Sequence, residues 1–229
     1  KRMIEEGAAI IDIGGESTRP GSETISVEDE LARVIPVIER LLDETAVQLS
    51  IDTMKPEVAE ECLKRGVHMV NDVTGLRNPK MIEVVSRNNV PVIIMHMLGI
   101  PRTMQQDIHY ENLIMDIKLY LQDQAERAAN AGINQIIIDP GIGFGKTIEH
   151  NLEIIKNLQQ FKELGYPVLV GPSRKSFIGN ILDIPVDDRL EGTLAAVTAC
   201  VLNGADIIRV HDVKECKRIV KRTVLSTSA

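Results

Sequence analysis

The chain has 229 residues, 44% of them hydrophobic, and a formal net charge of −7. That length holds one large core or two small ones, and no run approaches the ~18 apolar residues of a membrane span. The acidic balance argues against nucleic acid or an anionic membrane as a bulk partner, and the opening KRMIEEGAAIIDIGG has too short an apolar run and too many acids for a secretory signal.

In chain order, KRMIEEG reads as the end of a helix closed by Gly7, feeding a strand over 8–13. A helix entering that strand predicts a further strand upstream. A helix over 28–43 follows, with Leu31, Val34, Ile35, Ile38 and Leu42 at helical spacing. After a strand over 47–51, Pro56 opens the next helix and Gly66 closes it, as those residues prefer at N1 and C′. Strands then read at 69–73, 90–95, 135–138, 167–170 and 207–210. The helices between and after them read at 79–87, 113–131, 149–164, 188–202 and 213–223. No linker or composition break divides the chain, which predicts one domain over 1–229.

Strict alternation of strand and helix predicts a parallel sheet with helices outside. Polar, reactive side chains follow every strand: Gly14 to Arg19, Asp52, Asn71, His96, Asp139, Ser173 to Lys175, and Arg209 with His211. One shared mouth at the carboxyl ends of the strands would need that pattern, so the fold expectation is a (β/α)8 TIM barrel. An open sheet would concentrate them at a switch point. Seven strands rather than eight predict a first βα unit missing or truncated in this chain.

Three cysteines, Cys62, Cys200 and Cys216, lie in helical patterns without CxxC spacing, as expected for free thiols in a reducing cytoplasm. The five histidines form no HxxxH or HExxH pair for zinc.

The glycine loop in IIIDPGIGFGKT has the setting of a phosphate cradle but not its spacing. Counting back from Gly145-Lys146-Thr147 puts Pro140, which has no N–H, where a Walker A loop needs its first glycine. Lys146 also stands at the third glycine of the dinucleotide pattern.

Residues two apart on a strand share a face, which points Arg209 and His211 the same way, and likewise Gly171, Ser173 and Lys175. These cations suggest an anion pocket; a structural histidine remains an alternative for His211. Asp52, Asn71 and Asp139 end different strands, where each can bond a flat heterocycle bearing N–H groups. Asp52 could instead cap the helix that follows. Phe144 and Phe177 sit in strand-end loops of a chain only 3% aromatic, as ligand platforms would.

DIGGESTRPG, SIDTMKP, VNDVTG, DPGIGFGKT, GPSRKSFIG and IRVHDV together resemble the motifs of the dihydropteroate synthase family, from about Met3 to the last helix. The resemblance implies a transferase of folate biosynthesis that joins 6-hydroxymethyl-7,8-dihydropterin diphosphate to 4-aminobenzoate. It implies pterin contacts from Asp52, Asn71, Asp139 and Lys175, and diphosphate contacts from Arg209 and His211 with Mg²⁺ alongside. Thr18, Arg19, Phe144 and Ser176 would position aminobenzoate, and Gly171 would let the flat ring approach. Asp139, Lys175, Arg209 and His211 would carry the catalysis. The Asn-bearing loop that helps hold the metal in the family has no counterpart here, so no metal ligand is expected within the chain. A cytoplasmic homodimer is implied, and helix 190–202, apolar on nearly all sides, fits burial against a second copy. The alternatives are a pterin-binding methyltransferase domain and a non-catalytic pterin-binding barrel subunit.

Overall fold

The structure, a computed structural model, describes residues 1–19 and 21–227; Pro20 of the first motif lies outside them. Among the described residues, seven parallel strands run in chain order: β1 (Ile10–Gly14), β2 (Gln48–Asp52), β3 (Met69–Asp72), β4 (Val92–Met95), β5 (Ile136–Asp139), β6 (Leu169–Val170) and β7 (Ile207–Ile208). β1 to β5 pair successively, an Ile138–Val168 bridge joins β5 to the segment of β6, and β6 pairs with β7. The helices are α1 (Arg2–Glu5), α2 (Val27–Glu44), α3 (Pro56–Lys64), α4 (Pro79–Asn88), α5 (Leu113–Asn130), α6 (Ile148–Lys156), α7 (Leu158–Lys162), α8 (Ser176–Leu182), α9 (Leu190–Leu202) and α10 (Val213–Thr227). Each strand is followed by helix before the next neighbour, the winding of a (β/α)8 barrel.

Alternation along the strands builds two separate cores. Outward Leu49, Ile51, Val70, Ile94, Ile138 and Val170 are buried against the helices. Inward Ile93, Ile137 and Leu169 pack with Met69 and Ile207 into an apolar floor across the barrel. Two residues further along the same inward rows stand Asp12, Asn71, Met95, Asp139 and Arg209, so the mouth turns polar just above that floor. A third cluster of Val73, Met95, Met97 and Met104, flanked by Met54 and Phe144, lines one side of the mouth.

The structure departs from the sequence expectation in three local ways. The helix expected over 149–164 is broken at Asn157, whose backbone leaves helical geometry while its side chain bonds the Glu153 carbonyl 2.8 Å away. α8 forms inside GPSRKSFIG, too short to show helical periodicity. β6 and β7 are two residues each, so alternation stops before Lys175 and His211. All three cysteines are free and buried.

Candidate active site

Asp12 organises the mouth. Its Oδ1 accepts from the Ser50 hydroxyl, and its Oδ2 accepts from Asn71 Nδ2 at 3.0 Å and Arg209 Nε at 2.7 Å. The register explains this: Asp12 lies opposite Ser50, and Asp52 opposite Asn71. Arg209 Nη2 also donates to Asp52 Oδ2 at 3.0 Å, while 43% of the side chain stays exposed. Burial and the charge of Asp12 raise the Asp52 carboxyl well above its usual range, against the pull of Arg209. Asp52 Oδ1 is buried without a hydrogen-bond partner. Asp52 does not cap α3: the cap position falls on Lys55, three residues on, with no side-chain cap, and the Asp52 carboxylate bonds Arg209 instead.

Asp139 ends β5 and is 7% exposed. Its Oδ1 accepts from Gly141 N–H at 2.7 Å. Burial pushes its pKa up to about 6, opposed by that N–H and by the charges of Lys175, Lys146 and Arg209. Lys175 reaches the same region from a turn rather than a strand. Its N–H bonds the Pro172 carbonyl, and Arg174 before it adopts φ 57°. That left-handed residue is held by a bidentate pair from Arg174 to Asp212, at 2.9 and 2.6 Å. The Lys175 ammonium lies 4.1 Å from the Phe144 ring centroid. Burial draws its pKa down to about 8, with Asp139 opposing and Arg209 adding to the fall.

The DPGIGFGKT loop spends its N–H groups on the protein. Gly141 N donates to Asp139, Gly143 N to Asn151 Oδ1 at 2.6 Å and Phe144 N to the Gly141 carbonyl at 3.1 Å. Gly141 has φ +74°, and a Cβ there would lie 1.9 Å from the His96 carbonyl oxygen. The glycines let the loop lie against the end of β4, with Asp139 at one end and Phe144 at the other. This is the opposite of a phosphate cradle, which needs free N–H groups facing outward.

The remaining predicted residues lie on the rim. His211 lies at the surface; its Nδ1 is 3.0 Å from Ser173 Oγ, which also accepts its N–H at 3.2 Å, and partial desolvation of the ring with the charge of Arg209 lowers its pKa. Arg209 and His211 bond different partners, and β7 ends at Ile208, so strand alternation is not carried through to His211. Thr18 and Arg19 sit in the loop after β1, which touches the loop after β4 where Gly21 N donates to Pro101 O at 3.3 Å. Ser176, the first residue of α8, is exposed. Gly171 faces Arg209, and an added Cβ would meet Arg209 Cβ at an ordinary 3.7 Å. Phe177 is no platform: α8 turns it into the main core, 4% exposed.

Asp12 and Ser50 were missed, although an acid within the apolar run IIDIG was a visible signal. So was Lys55, which bonds Glu16 and lies 2.6 Å from Glu30, a fully buried carboxylate on α2.

The family model described as "Pterin binding enzyme" matches residues 1–211. A dihydropteroate synthase from Synechocystis is 47% identical over 225 residues, covering 96% of this chain and 78% of that protein. The solved Yersinia pestis dihydropteroate synthase, in a sulfonamide drug complex, superposes with a TM-score of 0.97 at 42% identity, over 100% of this chain and 84% of that one. The Thermus thermophilus enzyme, in complex with 4-aminobenzoate, gives 0.92 at 40% identity, over 98% and 86%. The methyltransferase alternative gives way to these relatives. With its barrel, its mouth of opposed charges and nearly its whole length matched, the chain belongs to the dihydropteroate synthase family of pterin-binding enzymes.

Proposed function

We propose that the protein condenses 6-hydroxymethyl-7,8-dihydropterin diphosphate with 4-aminobenzoate, giving 7,8-dihydropteroate and diphosphate. The observation that carries this reading is the mouth itself: largely buried Asp52 and Asp139 face cationic Arg209 and Lys175 above an apolar floor, and Asp52 keeps one acceptor unpartnered. A pterin edge offers N–H donors to such acceptors.

In this reading Asp52, Asn71, Asp139 and Lys175 hold the pterin, with Gly171 leaving room for its flat face. Arg209 and His211 take the diphosphate, and Thr18, Arg19, Phe144 and Ser176 position aminobenzoate. The C–O bond to diphosphate breaks with its electron pair leaving on oxygen; the amine nitrogen forms the new C–N bond to the pterin methylene and sheds a proton. Asp139 stabilises the positive charge growing on the pterin, and Arg209 and His211 the negative charge on the leaving group. Holding both partners in line supplies much of the remainder. No side-chain nucleophile is needed.

Magnesium is expected to accompany the diphosphate, supplying charge neutralisation there. Among the described residues no cluster of three or more His, Cys, Asp or Glu could hold it, and Asp12 and Asp52 are turned to Arg209, so those residues do not fit a protein-held ion. A homodimer is supported by exposed apolar side chains on α8 and α9, where Ile181, Leu182 and Leu202 are 51%, 49% and 56% exposed. Free buried thiols support a cytoplasmic setting. No described helix is long and apolar enough to cross a membrane.

The test is diphosphate release from the two substrates with Mg²⁺. Binding of the pterin without turnover would instead favour the non-catalytic barrel.

A further inference from the structure

Lys146 has no place in the reaction above, yet it is 3% exposed with its ammonium in the interior. Its Nζ lies 3.0 Å from His96 Nδ1, 3.0 Å from the Phe144 carbonyl oxygen and 3.4 Å from the His96 carbonyl oxygen. His96 ends the β4 segment, is 6% exposed, and donates its own N–H to the Asp139 carbonyl at 2.9 Å. The contacts close a ring: Asp139 carbonyl to His96 backbone, His96 imidazole to Lys146, Lys146 to the Phe144 carbonyl. Both ends of the glycine loop are thereby referenced to one residue.

The surroundings fix the imidazole's part in this ring. Burial, with the charges of Lys146 and Arg77, drives the His96 pKa down to about 2, so the imidazole is neutral and its Nδ1 accepts. Tyr120 meets it edge-on at 5.0 Å between centroids, and Tyr110 lies tilted at 6.0 Å while its hydroxyl holds the Gly145 carbonyl at 2.9 Å. Burial lowers the Lys146 pKa to about 7, Asp139 opposing and Lys175 adding. An apolar side chain would fill the same space without that desolvation cost, so what the lysine adds is directionality.

We propose that Lys146 is a positioning residue for the condensation: by tying the Phe144 carbonyl to His96 it fixes the Phe144 ring relative to the Asp139 carboxylate, and with it the approach of the amine to the pterin methylene. The proposal rests on the assignment of Asp139 to the pterin and Phe144 to aminobenzoate. It gives the lysine of the failed nucleotide motif a function.

The test compares the unsubstituted protein with Lys146→Met, which keeps the bulk, and Lys146→Gln, which keeps a donor. Far-UV circular dichroism and melting establish the fold, and diphosphate release gives kcat and each KM. The expected result is a folded Lys146→Met with KM for 4-aminobenzoate raised roughly 10-fold and kcat lowered roughly 10- to 100-fold, as misplacement of a reactant by about an ångström would produce. Its KM for the pterin diphosphate should stay within about threefold. Lys146→Gln should recover part of both losses, which a residue that only fills space would not do. Wild-type constants in whichever variant folds overturn the proposal, and so does failure of both to fold. If the unsubstituted protein shows no turnover, the synthase reading falls instead. Calorimetric affinity for 4-aminobenzoate then decides the proposal: about 10-fold weaker binding to a folded variant supports it, and equal binding overturns it.

Discussion

Arg209 donates to Asp12 across the mouth at 2.7 Å, joining the end of the seventh strand to the first. The same carboxylate accepts from Ser50 and Asn71, so it sets an arginine and an amide at once. Asp12→Asn should leave the barrel folded but release the guanidinium toward Asp52 alone. We expect kcat/KM for the pterin diphosphate to fall about 10- to 100-fold, equivalent to ~1.4–2.7 kcal/mol. Steady-state kinetics with unchanged constants would remove Asp12 from the organisation of the site.

The pH profile should be bell-shaped. Asp139 must be ionised to favour cationic pterin, so activity falls as pH drops through about 6. Lys175 must stay protonated, so activity falls again as pH rises through about 8. Lys175→Arg, charged at every working pH, should abolish the alkaline limb and spare the acid limb. An alkaline limb that persists would assign it to another group.

Asp139→Asn should abolish turnover and stabilise the fold together. A carboxyl whose pKa is raised on folding binds its proton more tightly in the native state, so that contribution is full below the unfolded value and lost as pH rises through about 6. At neutral pH the buried charge therefore opposes folding, by ~1–3 kcal/mol. Urea denaturation should show the variant's advantage growing from about pH 4 to 6 and then levelling. A variant less stable than the parent at pH 7 would contradict the burial argument.

Lys55 compensates a wholly buried acid. Glu30 is 0% exposed, one of its oxygens has no partner, and Lys55 holds the other at 2.6 Å while also bonding Glu16 at the root of the loop that carries Thr18 and Arg19. Lys55→Met should cost about 3–5 kcal/mol by stranding that charge. Adding Glu30→Gln should recover much of it, measured by urea unfolding. Additive losses in the double variant would show that the pair is not coupled.

Gly141→Ala should inactivate the enzyme. The position needs a left-handed backbone, and the new methyl would sit 1.9 Å from the His96 carbonyl oxygen. Gly165→Ala makes the control: its φ is +82° but nothing lies within 4 Å of the added carbon, so activity should survive a modest loss of stability. Equal activity loss in both would trace the effect to backbone strain rather than to the loop's seat on β4.

The barrel was legible because its signal is redundant: apolar runs punctuated by polar strand ends recur seven times, and no single error alters the winding. The placing of a side chain at the mouth was legible wherever it stands on a strand, as Asn71 and Asp139 do. It became illegible where the chain leaves the strand. Lys175 arrives through a left-handed Arg174, and His211 through a bend after a two-residue β7, so a period of two had no purchase there. Phe177 reads as an exposed loop aromatic until α8 rotates it inward. The Lys146–His96 contact joins residues 50 apart that no local pattern relates.

The floor made by Ile93, Ile137 and Leu169 also bears on fidelity. An electron-deficient methylene is open to any nucleophile, and bulk water outnumbers an aromatic amine by orders of magnitude. An apolar base offers water no hydrogen-bonding partner, which disfavours water on the underside of the reacting carbon. Wasteful hydrolysis is therefore restrained from below, and a polar substitution in the floor should release diphosphate without making dihydropteroate.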